Sequence, residues 1–128
     1  MRKGFTLVEI MIVVAIIALL AALAIPALLR HKMSANEAFA RATLKTISTA
    51  AETFAASNAN GDYPVGIAAL SDAVPPYLRE DLTGVRQGYT FACGTIDATG
   101  YSCTATPVSA TSGTQTFTIV TGGALTAA

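Results

Sequence analysis

The twenty residues from Ile10 to Leu29 carry no charge, and a single carboxylate, Glu9, stands at their head. As a helix this run would be about 30 Å long, enough to cross the hydrocarbon core of a bilayer. A plain membrane anchor gains nothing from an acid there, because a carboxylate among apolar side chains is costly unless it is paired. A helix that must register against copies of itself does gain, since an unpaired charge penalises every wrong stagger. The combination requires a long N-terminal helix whose first half is apolar on all sides. Any globular domain must follow it.

The chain has 128 residues, one small domain by length, and is 52% apolar. Much of that apolar content lies in Phe5 to Leu29, so the remainder has a modest core. Such cores often need a staple or an assembly. Eight basic side chains balance eight acidic ones. This is not the basic excess of a nucleic-acid binder, and no nucleic-acid partner is expected.

Phe5 to Asn58 reads as one helix in two halves. Pro26 interrupts the first half. It removes a backbone donor and clashes with the Ala22 carbonyl, so a kink or local melting is expected there. The second half is amphipathic: Leu44, Ile47, Ala51 and Phe54 recur three and four apart as one apolar stripe. Arg41, Lys45 and Glu52 lie off it. Glu37 and Arg41 are spaced as an i,i+4 ion pair. Phe39 is also off the stripe, as a subunit contact or a solvent-tolerant aromatic. Asn58, Asn60 and Gly61 supply the stop.

Asp62 to Gly84 is a connecting region broken by Tyr63-Pro64 and Val74-Pro75-Pro76, with room for a short helix over Val65 to Ser71. Three strand candidates follow: Gly88 to Ile96, Tyr101 to Pro107 and Gln115 to Thr121, with Ser109 to Thr114 as a loop. Pairing Cys93 opposite Cys103 makes the first two an antiparallel hairpin turning near Asp97 to Gly100, and puts Phe91 opposite Ala105. The predicted fold is therefore α+β: a long N-terminal helix, hydrophobic then amphipathic, packed on a small C-terminal antiparallel sheet of about three strands. A disulfide between Cys93 and Cys103 implies an oxidising compartment; two free buried thiols are the other reading.

No catalytic constellation is visible, and an enzyme is not expected. His31 sits between Arg30 and Lys32, without spaced partners for a metal, and reads as part of a basic girdle at a membrane boundary. Glu80 and Asp81 read as a solvated turn and not an acid/base dyad. No metal or cofactor is expected.

Arg2-Lys3-Gly4, then Phe5-Thr6-Leu7-Val8-Glu9 and the long apolar helix, resemble the leader and cleavage site of type IV pilins and type II secretion pseudopilins. The likeness is close over roughly the first quarter of the chain. A secretory signal cut after Ala22-Leu23-Ala24 is the rival, but the apolar run continues past that site and begins with an acid. The resemblance implies four segments: a leader at 1–4, a transmembrane and filament-core helix at 5–29, its amphipathic continuation at 30–60, and loop plus sheet at 61–128. It implies that a prepilin peptidase cuts between Gly4 and Phe5 and N-methylates Phe5. Glu9 would then neutralise the new amine of an adjacent subunit and set the registry. Many relatives pair the proline with an upstream glycine; Ala18 stands there instead.

The function so implied is a structural subunit of a pilus-like helical filament. It is stored in the lipid bilayer of the inner membrane, N-terminus cytoplasmic and C-terminal domain periplasmic. An inner-membrane assembly platform then polymerises it into a homo-oligomer. The runner-up is a pseudopilin of a type II secretion system. Major pseudopilins typically bind calcium through acids in their C-terminal loops, whereas no acid follows Asp97 here. Asp72, Glu80, Asp81 and Asp97 remain as ion-site candidates. A third reading, from another class, is a membrane-anchored extracytoplasmic binding domain that never polymerises.

Overall fold

The computed structural model describes residues 3–128. Met1 and Arg2, part of the expected leader, lie outside the described residues. The chain divides into an N-terminal unit ending at Lys32 and a globular unit, Met33–Ala128.

Helix α1 begins at Leu7, continues unbroken through Pro26, where local melting was one expectation, and ends at Ser57. Its stop follows the expected chemistry. Asn58 N–H donates to the Phe54 and Ala55 carbonyls, and Gly61, with φ 73°, takes the left-handed conformation that turns the chain away.

In the globular unit, α1 buries Ala40, Leu44, Ile47 and Ala51, while Phe54 packs at the margin with its ring 5.5 Å from Tyr77. The predicted stripe is therefore the core-facing one, widened by the buried polar residues Asn36, Thr43 and Ser48. Helix α2 is one short turn, Ala68–Ser71, and its Leu70 reaches the core.

The sheet is antiparallel and in simple sequence order, with five strands where about three were expected: β1 Gly84–Arg86, β2 Tyr89–Asp97, β3 Gly100–Pro107, β4 Phe117–Val120 and β5 Ala124–Ala127. The central register is as predicted, with Cys93 opposite Cys103 and Phe91 opposite Ala105. Inward residues alternate along the strands: Tyr89 and Phe91, then Tyr101, Cys103 and Ala105, then Phe117 and Ile119. The opposite face carries Thr90, Thr104, Thr106, Thr118 and Thr126, as the period of two requires. Gly94 has no opposite residue, because the register shifts between Cys93 and Thr95, and forms a bulge.

The two extra strands are both edges. β1 joins β2 through Gln87-Gly88, both at positive φ (46° and 76°), the backbone of a two-residue hairpin turn matched to strand twist. β5 returns from β4 through Thr121, Gly122 and Gly123, with both glycines at positive φ.

Candidate assembly and processing site

Every large apolar side chain from Phe5 to Leu29 is exposed within the chain. This part of α1 is long and apolar enough to span a membrane, and none of its most apolar window is buried. Gly4 and Phe5, the expected processing pair, lie before the first helical turn and are exposed, with Phe5 at 85%.

Glu9 has a local role that the sequence reading missed. Its Oε2 accepts the Thr6 N–H at 2.8 Å and the Thr6 hydroxyl at 2.9 Å, while the Thr6 Oγ1 accepts the Glu9 N–H at 3.2 Å. This is a reciprocal cap of the T-x-x-E type, with Thr6 just before the first helical residue. Thr6-x-x-Glu9 was legible as a cap, but reading Glu9 only as a registry charge hid it. Capping does not use up the carboxylate: each oxygen can accept more than one hydrogen bond. The group therefore remains available to a cation from outside the chain.

Past the apolar run, Arg30, His31 and Lys32 are all exposed. Glu37 and Arg41 do not form the expected ion pair; the one salt bridge among the described residues is Arg86 to Glu80, at 3.0 Å. Both instead reach the Ser109–Thr114 segment and its continuation. Glu37 Oε1 accepts the Thr114 N–H and hydroxyl, each at 3.0 Å. Arg41 Nη2 donates to Gln115 Oε1 at 3.3 Å and lies 4.8 Å from the centre of the Phe117 ring. Asn36 Nδ2 donates to the Ser112 carbonyl at 2.9 Å. A loop of small polar residues is thus tied to one helix face. Phe39 is partly covered, edge-on to Phe91 at 6.3 Å.

Glu52 forms a second tie. It accepts the Tyr63 and Tyr101 hydroxyls, both at 2.9 Å, and the Gly122 N–H at 2.7 Å, joining helix, connecting region, central strand and final hairpin. Partial burial alone would raise its carboxyl pKa, but the Gly122 N–H and the two tyrosines hold it below the ordinary value. The Tyr63 hydroxyl is raised by donating to Glu52, and that of Tyr101 chiefly by burial.

Three further acids have structural partners. Glu80 pairs with Arg86. Asp81 accepts the Thr83 N–H and hydroxyl, which lower its pKa, and Asp97 caps the β2–β3 turn through Thr99. Among the described residues, no three His, Cys, Asp or Glu side chains converge as a metal site. Cys93 and Cys103 form a disulfide across the hairpin.

Residues 1–25 match the family described as the prokaryotic N-terminal methylation motif. The chain is also 46% identical over 53 residues to the type IV major pilin protein PilA of Myxococcus xanthus (strain DK1622). Its N-terminal region is thus similar to the start of a type IV pilin and carries the methylation motif. The similarity to the Myxococcus pilin covers 41% of this chain and 24% of that protein, so the chain matches about a quarter of that relative's length. The α+β layout of a long N-terminal helix on an antiparallel sheet is pilin-like as well. Phe5, exposed, and Glu9, capped by Thr6, both lie within the residues that match the motif.

Proposed function

We propose that this chain is a structural subunit of a type IV pilus-like filament, stored in a membrane by the first half of α1 and polymerised through it after cleavage between Gly4 and Phe5. One observation carries the reading: an apolar helix segment whose large side chains are all exposed, headed by a carboxylate, and lying mostly within the residues that match the methylation motif. Lipid covers those side chains before assembly, and neighbouring helices cover them afterwards. Exchange of one apolar environment for another never exposes them to water.

Cleavage creates a cationic amine on Phe5, about one helical turn from Glu9 of the same chain. Between staggered copies the amine of one and the carboxylate of the next meet directly. A stagger that separates them leaves two charges unpaired in an apolar surrounding, which several kcal/mol oppose. Charge neutralisation thus selects one axial offset. The subunit's role is structural; the work of extraction comes from an assembly platform outside this chain. The disulfide fits an extracytoplasmic globular unit.

N-terminal mass spectrometry of native material tests the proposal, combined with electron microscopy of sheared surface fractions. The expected result is a chain that begins at an N-methylated Phe5 and is found in fibres. An intact leader on dispersed monomers would instead support the non-polymerising anchored domain. The cysteine staple within one hairpin favours a pilus over a secretion pseudopilus. So does the engagement of Glu80, Asp81 and Asp97 in local turns and pairs, with no three acids, Asp72 included, converging among the described residues.

A further inference from the structure

Arg30, His31 and Lys32 follow the apolar run without a gap, lie within α1, and have exposed side chains. Their spacing is informative. Successive residues of a helix are separated by about 100° and about 1.5 Å. Three consecutive residues therefore fan over about 200° of the circumference within about 3 Å of axial height. A partner docking along one helix face would be met by cations three and four residues apart. Beyond Arg30 those positions hold Met33 and Ser34, and Glu37 stands one turn further. Basic groups spread around a rod at a single height match a plane that crosses the rod.

A bilayer surface is such a plane. Ile10 to Leu29 fills a hydrocarbon core of about 30 Å, which puts the next three residues at headgroup level. The aliphatic stems of arginine and lysine suit that boundary, lying against the apolar layer while the charged ends reach outward. The nearest acid in sequence on this side, Glu37, is engaged by Thr114. Removal of the leader takes away Arg2 and Lys3, so the mature helix keeps its basic cluster at this end of the run.

We propose that Arg30, His31 and Lys32 bind anionic phospholipid headgroups on the extracytoplasmic face of the storage membrane, and so retain the subunit there at a fixed depth before assembly. The inference rests on the membrane-stored reading above. It adds a second requirement for extraction: headgroup contacts must be exchanged along with lipid-tail contacts.

The full chain, reconstituted in phosphatidylcholine vesicles with and without phosphatidylglycerol, provides the test. Spin-labelled phosphatidylglycerol and phosphatidylcholine report which lipid occupies the first shell. The expected preference for phosphatidylglycerol is about fivefold per cation at low salt. It should fall to near parity in the double variant Arg30→Gln/Lys32→Gln, and weaken strongly in about 1 M salt, where screening acts over about 3 Å. Glutamine keeps the helix propensity, so the variant should insert normally. Insertion with no lipid preference overturns this inference alone, as does a preference that survives in the double variant. Failure to enter either vesicle overturns the membrane-stored reading and this inference with it.

Discussion

From Met33 onward, a core of apolar side chains is covered by other parts of the same unit: Leu44 and Ile47 of the helix meet Phe91, Cys103, Phe117 and Ile119 of the sheet. From Phe5 to Leu29, equally apolar side chains lie exposed. Polar groups follow the same division. Among the described residues, no buried side-chain nitrogen or oxygen lacks a partner, and Glu52 alone ties three other segments together. Glu9, by contrast, has only the cap of Thr6. One region is complete within the chain; under the proposed function, the other is completed by lipid or by copies. A subunit that must be stored, extracted and built into a fibre needs both properties: a body that keeps its fold throughout and a rod whose surroundings can be exchanged.

The most decisive way to break the comparison is to separate the two regions. A chain starting at Met33, with Ser34 placed to cap the shortened helix, should be a water-soluble monomer with the disulfide and the sheet intact. The full chain should need detergent or lipid. Circular dichroism and analytical ultracentrifugation read both. Precipitation or molten behaviour of the shorter chain would show that the globular unit depends on the apolar helix.

Damage inside the globular core should be nearly as large but differently located. Leu44 is fully buried against the sheet. Leu44→Ala should cost about 2–5 kcal/mol of unfolding free energy, measured by denaturant titration, through lost burial and the cavity left behind. Membrane insertion, which on the proposed reading depends on residues 5–29, should be unchanged. A variant that lost insertion as well would show that the two units depend on one another.

What the sequence revealed divides along the same line. The helix, its stripe, its Asn-Gly stop and the Cys93–Cys103 register were legible because each rests on a local period or a strong chemical constraint. The edge strands were not. β1 and β5 span only three and four residues, too few for alternation to register. The turn into β2 uses Gln87-Gly88, in which glutamine takes the positive φ more often held by Asn, Asp or Gly. Gly122-Gly123 did carry a hairpin signal, but too little chain follows it to read as a strand. Glu37 and Arg41 were misassigned because helix spacing alone cannot see the β3–β4 loop that competes for each of them. At the candidate site, Phe5 and Glu9 were read from motif chemistry, whereas the Thr6 cap was overlooked beside a more conspicuous role for the same acid.

Glu9 sharpens the comparison, because two explanations for one carboxylate can be parted by substitution. Glutamine retains an oxygen for the Thr6 cap but not the charge; alanine loses both. If pairing with a neighbour's amine dominates, Glu9→Gln and Glu9→Ala should each reduce fibre yield by at least about tenfold, with insertion unaffected. Sheared fibre mass against total membrane-bound subunit gives the ratio. A near-normal yield from Glu9→Gln, with a defect only in Glu9→Ala, would assign the residue to helix capping and remove the registry account.

The smallest expected effect lies at Glu52 and is a dependence on pH. Its folded-state pKa is depressed below the ordinary 4.5 by the Gly122 N–H and by Tyr63 and Tyr101, against the opposing effect of partial burial. A depressed carboxyl stabilises the fold fully at pH values above its unfolded pKa. That contribution is lost as the pH falls from about 4.5 through the lower folded value, when both states become protonated. Asp81 and Asp97, also depressed by threonine donors, act in the same direction. The globular unit should therefore hold its melting temperature from neutral pH to about 5 and lose it progressively below. Glu52→Gln removes the ionisation while keeping a side-chain acceptor for the tyrosines. It should lower stability modestly at neutral pH and leave a shallower acid decline, due to the two aspartates. Parallel curves for the variant and the parent chain would mean that the Glu52 ties are equally strong in the protonated form. The carboxylate would then matter for its shape and not for its charge, in contrast to the role proposed for Glu9.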